Sequence, residues 1–143
     1  MEANDKTIVT VKSLIHAPVE LVWKMWTSPE DIVKWNNASD DWHSPHAVND
    51  VRAGGKFNIR MEAKDGSTGF DFAGVYERVT VNGFLEYSMD DGRKVKVYFI
   101  PEEDKTEIVE TFEAENVNPV EMQRGGWQAI MYNFKKHVEN NSK

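Results

Sequence analysis

The last long stretch of the chain, residues 118–139, constrains the fold most, because its pattern predicts a single amphipathic helix. Asn118 followed by Pro119 predicts the helix start, since asparagine is a favoured N-cap and proline suits the first helical position. The apolar residues that follow recur mostly every three or four positions: Val120, Trp127, Ile130, Met131, Phe134 and Val138. A helix of this length with one apolar face needs a large apolar surface to cover it.

Two adjacent glycines, Gly125 and Gly126, interrupt this helical pattern in its middle. Each glycine costs a helix about 1 kcal/mol relative to alanine. They also remove side-chain bulk just before Trp127, so we expect a kink or a close packing contact there.

The middle of the chain supplies the partner surface, because its apolar residues alternate with polar ones from Phe57 onwards. Turn sequences such as Asp65-Gly66 and Asn82-Gly83 separate the alternating segments. Every connection is short, which predicts an antiparallel meander of at least five strands.

The first third of the chain predicts one strand followed by two short helices. Residues 7–15 alternate as in a strand, and Pro18 and Pro29 each suit the first turn of a helix. Residues 36–50 are polar and predict a loop, which at this length is usually functional or mobile. The predicted fold is α+β, with a twisted sheet curled around the long helix and a pocket between them.

Composition excludes several classes of function. The 24 acidic and 17 basic side chains give a net charge of −7, which disfavours a nucleic-acid partner. The absence of cysteine excludes disulfides, thiolate metal sites and a cysteine nucleophile. The polar N-terminus lacks a secretory signal, and no run approaches the roughly 18 apolar residues of a membrane span. We therefore expect a single cytoplasmic domain spanning residues 1–143, with no stable membrane insertion.

Short segments distributed along nearly the whole chain match one known group of proteins. These segments are IHAPVELVW at residues 15–23, Trp26, SPE at 28–30, Trp35, GGKF at 54–57, Met61, DG at 65–66, GVY at 74–76 and GW at 126–127. In this order they resemble the Bet v 1-like, START-related (SRPBCC) superfamily, and within it the group similar to the C-terminal domain of the Hsp90 ATPase activator. The resemblance implies a helix-grip fold with a ligand pocket. It implies no defined reaction and no common set of catalytic residues. We predict no cofactor.

The polar loop holds a candidate cluster for chemistry: Asp40, Asp41, His43 and His46. Two carboxylates and two imidazoles could bind a metal ion, but loop spacing fixes no geometry, and we predict no metal site. His43 could instead act as a general acid or base, since histidine titrates near neutral pH. The alternative is a solvated loop in which these residues only stabilise turns.

Glu110 is the second candidate for chemistry, and its orientation stays open. If Ile108 and Phe112 face the helix, Glu110 faces it too, because side chains alternate along a strand. A carboxylate there would have a raised pKa and would need a partner such as Arg60 or Arg124. In the opposite phase, Val109 and Thr111 face inward and Glu110 is solvated.

The predicted ligand-binding residues combine aromatic and apolar side chains of the sheet and the long helix with Glu110. They are Trp35, Trp42, Phe57, Ile59, Phe72, Tyr76, Tyr87, Phe99, Glu110, Trp127 and Met131. Aromatic residues at such spacings also build ordinary cores, so both roles are open.

Three functions are compatible with these features. The first is the binding of a hydrophobic or amphipathic small molecule between sheet and helix. The second, implied by the resemblance, is a chaperone-associated or other protein-binding module. The third is a small enzyme, such as a cyclase, hydrolase or isomerase, that uses His43 or Glu110 as its acid or base.

Overall fold

The computed structural model describes residues 7–37 and 39–141. The polar N-terminal residues 1–6 and Ala38 of the predicted loop lie outside this part of the chain. The elements are β1 (Ile8–Ile15), α1 (Val19–Thr27), α2 (Pro29–Trp35), β2 (Trp42–His43), β3 (Ala47–Asn49), β4 (Lys56–Ala63), β5 (Gly69–Thr80), β6 (Phe84–Met89), β7 (Lys94–Glu102), β8 (Lys105–Glu113) and α3 (Val120–Asn141).

The strands of the described residues form one antiparallel sheet in the order β1-β8-β7-β6-β5-β4-β2, with β3 also paired to β4. The five strands from β4 to β8 follow one another as a meander, and β1 closes one edge by pairing with β8. This is the predicted α+β arrangement, a curved sheet wrapped around a long C-terminal helix, and the helix-grip expectation is confirmed.

The segment predicted as a loop, residues 36–50, departs from that expectation. It contains β2 and β3, which pair with β4 at Trp42 opposite Ala63 and at Ala47 opposite Ile59. Strands of two or three residues are too short to show an alternating pattern, so only pairing to a neighbour reveals them.

Helix α3 begins at Val120, slightly later than the sequence predicts. The Pro119 carbonyl accepts bonds from the backbone N–H groups of Met122 and Gln123, and the Asn118 side chain donates to Glu115 instead of capping the helix. The helix continues through Gly125 and Gly126, and a Cβ added at either would meet no atom within 4 Å. The expectation of a close packing contact at these glycines is therefore wrong.

The C-terminal half of α3 is the anchored half. Its residues Met131, Phe134 and Val138 are fully buried. The ring of Phe134 lies 4.9 Å from that of Trp26 and 4.8 Å from that of Trp35, both in edge-to-face geometry. These aromatic contacts fix α1, α2 and this half of α3 together.

Polar contacts tie the same end of α3 to the rest of the fold. The Glu139 carboxylate accepts bonds from Lys135 Nζ at 2.6 Å and from the His16 backbone N–H at 3.0 Å. Burial opposes ionisation of Glu139, but these donors lower its pKa to about 2. His137 Nε2 lies 2.9 Å from Asp31 Oδ1 on α2.

No helix within residues 7–37 and 39–141 combines the length and the apolar character needed to cross a membrane.

The open space around the helical glycines generates a stability prediction. We expect Gly125→Ala to raise the free energy of unfolding by about 0.4–1 kcal/mol, because alanine loses less backbone entropy in a helix. Urea denaturation measures the change. Gly92→Ala is the control, since Gly92 has a φ of 92° and its replacement should destabilise. A loss of stability in Gly125→Ala would contradict the prediction.

Candidate functional site

A cavity of about 310 Å³ lies between the concave face of the sheet, the two short helices and the N-terminal half of α3. Its sheet wall comes from β4, β5, β6 and β8, and α3 contributes Trp127 and Ile130. The volume falls within the roughly 300–1,000 Å³ of small-molecule sites.

The cavity brings together most of the residues that the sequence predicts to bind a ligand. Those that line it are Trp35, Phe57, Ile59, Phe72, Tyr76, Tyr87, Glu110 and Trp127. Whether they contact a ligand stays a prediction.

The other three predicted residues do not line the cavity. Trp42 packs against Phe70 at 5.9 Å between ring centres, beside the edge of the sheet. Phe99 is buried against the ring of Trp23, and Met131 is buried in the anchored half of α3. All three belong to the packing around the cavity. The sequence included them because strand and helix periodicity identifies buried residues but does not separate core residues from cavity-lining ones.

Ten lining residues were not among the predicted ligand-binding residues: Trp26, Ile32, Asn36, Asn49, Met61, Phe70, Met89, Arg93, Glu115 and Ile130. Met61 and Met89 continue the alternation of their strands and could have been found that way. Asn49, Arg93 and Glu115 lie at strand ends or in turns, where no periodic pattern points to the cavity.

Aromatic rings form a connected wall on the sheet side. The rings of Phe57 and Tyr87 meet edge to face at 4.8 Å, and Trp127 stacks on Phe112 at 4.0 Å with an interplanar angle of 9°. Trp127 also approaches Phe72 edge-on at 6.2 Å. The indole thus spans the gap between α3 and the sheet.

Glu110 is the most unusual group in the cavity, and the structure resolves its orientation. It lies between Ile108 and Phe112 on the inward face of β8 and is only 5% exposed. No described residue donates a hydrogen bond to its carboxylate or forms an ion pair with it. The expected partners are wrong, because Arg60 pairs with Glu62 at 2.9 Å and Arg124 with Glu121 at 3.3 Å.

The surroundings keep Glu110 in its neutral form. Burial raises the pKa of its carboxyl group to about 8, because water no longer solvates the charge. At neutral pH the group therefore carries its proton and can donate or accept a hydrogen bond inside the cavity.

Two tyrosines share the cavity, and their hydroxyls differ. Tyr76 donates to Asn49 Oδ1 at 2.7 Å, and Asn49 in turn donates to the Thr27 carbonyl at 2.7 Å. The Tyr87 hydroxyl has no hydrogen-bond partner in the described part of the chain. Burial, with the nearby Glu110 and Tyr76, raises the pKa of Tyr87 well above its ordinary value. Tyr87 and Glu110 are therefore polar groups left for an occupant.

Charged groups of the cavity lining are already engaged. Arg93 Nε donates to Asp91 Oδ2 at 2.8 Å, and its Nη1 donates to the Glu113 carbonyl at 3.2 Å. The Glu115 carboxylate accepts from the backbone N–H of Asn118 at 2.6 Å. That bond is the main cause of the lowered pKa of Glu115.

The loop cluster lies away from the cavity. Asp40, Asp41, His43 and His46 are exposed, and His43 forms an ion pair with Glu62 across 3.9 Å. Within residues 7–37 and 39–141, no three His, Asp or Glu side chains are grouped to hold a metal ion. Of the two candidates for acid–base chemistry, only Glu110 reaches the cavity.

Comparison with known proteins gives a consistent result. Residues 16–139 match the family described as activator of Hsp90 ATPase homolog 1-like protein. No curated protein resembles the sequence closely enough to count as a match.

Solved structures extend this match over almost the full length. The AHSA1-like protein of Aeromonas hydrophila is 42% identical, with a TM-score of 0.89 over 95% of this chain and 94% of its own. A protein of Cytophaga hutchinsonii is 50% identical, with a TM-score of 0.81 over 94% and 93%. A protein of Nitrosomonas europaea, 19% identical with a TM-score of 0.81 over 94% and 96%, shares the fold.

The buried carboxyl generates a prediction about pH. A pKa raised from 4.5 to about 8 means that the folded protein holds a proton which the unfolded chain releases. Glu110 therefore costs stability progressively as the pH rises through this window. We expect the free energy of unfolding of Glu110→Gln, taken relative to that of the wild type, to increase as the pH rises from 5 to 8.

Urea denaturation across this pH range measures the difference. Glu107→Gln is the control, because Glu107 lies on the opposite face of the same strand. Stability curves for the wild type and Glu110→Gln that run parallel across the range would contradict the prediction.

The indole that spans the cavity generates a prediction about packing. We expect Trp127→Ala to cost about 3 kcal/mol or less, because one side of the ring meets the cavity, and to enlarge the cavity. Phe134→Ala, on the same helix but fully buried, should cost about 3–5 kcal/mol. Chemical denaturation compares them. Equal losses, with dye binding unchanged in Trp127→Ala, would make Trp127 an ordinary core residue.

Proposed function

We propose that this chain, which belongs to the family of activator of Hsp90 ATPase homolog 1-like proteins, binds an apolar or amphipathic small molecule. The site is the cavity between the sheet and the N-terminal half of α3. A cytoplasmic location, expected from the sequence, is part of this proposal, and a reaction is not.

The main support for ligand binding is the combination of the size of the cavity and the residues that line it. The space of about 310 Å³ is lined mostly by aromatic and aliphatic side chains. Ligand sites of this kind contain a small number of polar groups that orient the ligand. Glu110 and Tyr87 supply such groups. A core selected for stability alone would not retain a carboxyl without a partner, because its desolvation is costly.

The shape of α3 supports the same proposal. Its C-terminal half is held by Phe134 and Val138 against the sheet and the short helices, whereas Gln123 is the buried residue of its first two turns. The Gln123 amide donates to the carbonyls of Glu115 and Asn118 at 3.0 and 2.8 Å. Contacts at both ends of the helix thus hold its middle over the cavity, where Trp127 and Ile130 form part of the cavity wall.

Nile red, a neutral apolar dye, tests the proposal directly. We expect it to bind the wild type with increased fluorescence, and Ile130→Trp to weaken binding at least about tenfold by filling the cavity. Tyr132→Trp is the matched control, since Tyr132 is 54% exposed on the same helix and should leave binding intact.

Native mass spectrometry of the purified protein complements this titration by detecting a co-purifying small molecule. Equal dye binding by Ile130→Trp and the wild type would contradict the proposal, because the dye would then bind outside the cavity.

A protein-binding role is the second candidate, and the family match over residues 16–139 favours it. The family description names homologues of an activator of the Hsp90 ATPase. Titration with Hsp90 decides it, and the absence of both binding and ATPase stimulation would remove this role.

A further inference from the structure

The position of Glu110 limits what chemistry can complete the cavity. Its strand neighbours are Val11 on β1 and Val97 on β7, which are both buried and offer no polar side chain. The titratable or charged groups that share the cavity are Tyr76, Tyr87, Arg93 and Glu115. Tyr76 donates a hydrogen bond to Asn49, and Arg93 and Glu115 are engaged as described above. Of these four groups, Tyr87 is the one whose side chain is uncommitted.

Anionic ligands fit this set poorly. Arg93 is the cationic side chain of the cavity lining, and it is already paired with Asp91 and bonded to the Glu113 carbonyl. A ligand carboxylate or phosphate would meet the ionised Glu115 and would hold Glu110 in its neutral form, with no uncommitted cation among the described lining residues. Like charges at close range in a low-dielectric site repel strongly.

Cationic ligands fit this cavity lining well. A carboxylate buried without a counter-ion is strongly stabilised by an incoming positive charge. Aromatic faces add to this attraction, because their negative quadrupole favours ammonium groups within about 6 Å. Tyr87 lies on β6, two strands from Glu110, and is close enough for that carboxyl to influence its pKa. Trp127 stacks on Phe112, two residues further along the same face of β8.

We propose that the cavity selects an apolar amine, whose ammonium group forms an ion pair with Glu110 while its apolar body lies against Trp127 and the sheet aromatics. This inference rests on the proposed function and specifies its ligand class. Neutral alcohols or ketones, which could hydrogen-bond to the same carboxyl, are the competing occupants.

Proton balance makes the inference measurable. The Glu110 carboxyl is protonated below about pH 8, because burial raises its pKa. An ammonium ion that binds there displaces this proton to solvent, and the O–H bond of the acid is exchanged for an ion pair. Amine binding should therefore release up to one proton and strengthen by about tenfold from pH 6 to pH 7, before levelling off near pH 8.

Three probes with the same naphthyl body separate the ligand classes: naphthylethylamine, naphthylethanol and naphthylacetate. Isothermal titration at pH 7 should give the amine at least about tenfold tighter binding than the alcohol, or about 1.4 kcal/mol, and the acetate the weakest. Repeating the amine titration in two buffers of different ionisation enthalpy counts the protons released.

Two variants assign the effect to the carboxyl. Glu110→Gln should abolish the preference for the amine over the alcohol and the proton release. Glu107→Gln, on the opposite face of β8, should keep both. If Glu110→Gln fails to fold, the wild-type pH series still decides.

Each outcome has a distinct meaning. Equal affinities for amine and alcohol, a tighter acetate, or amine binding without proton release would overturn this inference and leave the proposed function standing. Failure of all three probes and of Nile red to bind would overturn both.

Discussion

The anchoring of α3 through its C-terminal half is the constraint on which the rest of this structure depends. Phe134 packs against both Trp26 and Trp35, and Val138 is fully buried one turn further along the helix. Because α1 and α2 are packed against that half, they cannot also fill the space beneath the other half. The Trp127–Phe112 stack then spans this space without filling it, and the cavity is the result.

This arrangement gives up stability at identifiable places. Glu110 is buried without a partner, Tyr87 has a hydroxyl unbonded within the described residues, and Gly125 lies in the middle of a helix. Buried polar groups without partners and helical glycines each cost free energy, and a domain of this size has only about 5–15 kcal/mol in total. Glu110 and Tyr87 both lie at the cavity, and departures from stable packing of this kind are typical of functional sites.

The family relation and the cavity carry different kinds of information. Membership shows the fold and connects the chain to homologues of an Hsp90 ATPase activator. It does not specify a ligand, because folds of this kind support many unrelated functions. Information on the ligand class comes instead from the charge and partners of individual side chains, above all Glu110.

The sequence by itself determined the order of the helices and the longer strands, and the inward face of most of those strands. Alternation within the strands between Phe57 and Phe99 and the apolar stripe of α3 leave little freedom, since a shift of one residue would expose the inward-facing side chains of a strand. The sequence pointed to eight of the cavity residues, six of them through these patterns. They also included Phe99 and Met131, because periodicity reports burial and not whether the buried side chain meets a void.

Only the tertiary structure decided the phase of β8, since Ile108 and Val109 are both apolar and permit either orientation. Pairing with Val11 and Val97 places Glu110 among buried neighbours. The strands β2 and β3 and the contributions of Asn49 and Arg93 likewise depend on contacts distant in sequence. Local pattern determines which face of an element is apolar, whereas the partners of a polar side chain are set by the chain segments that fold against it.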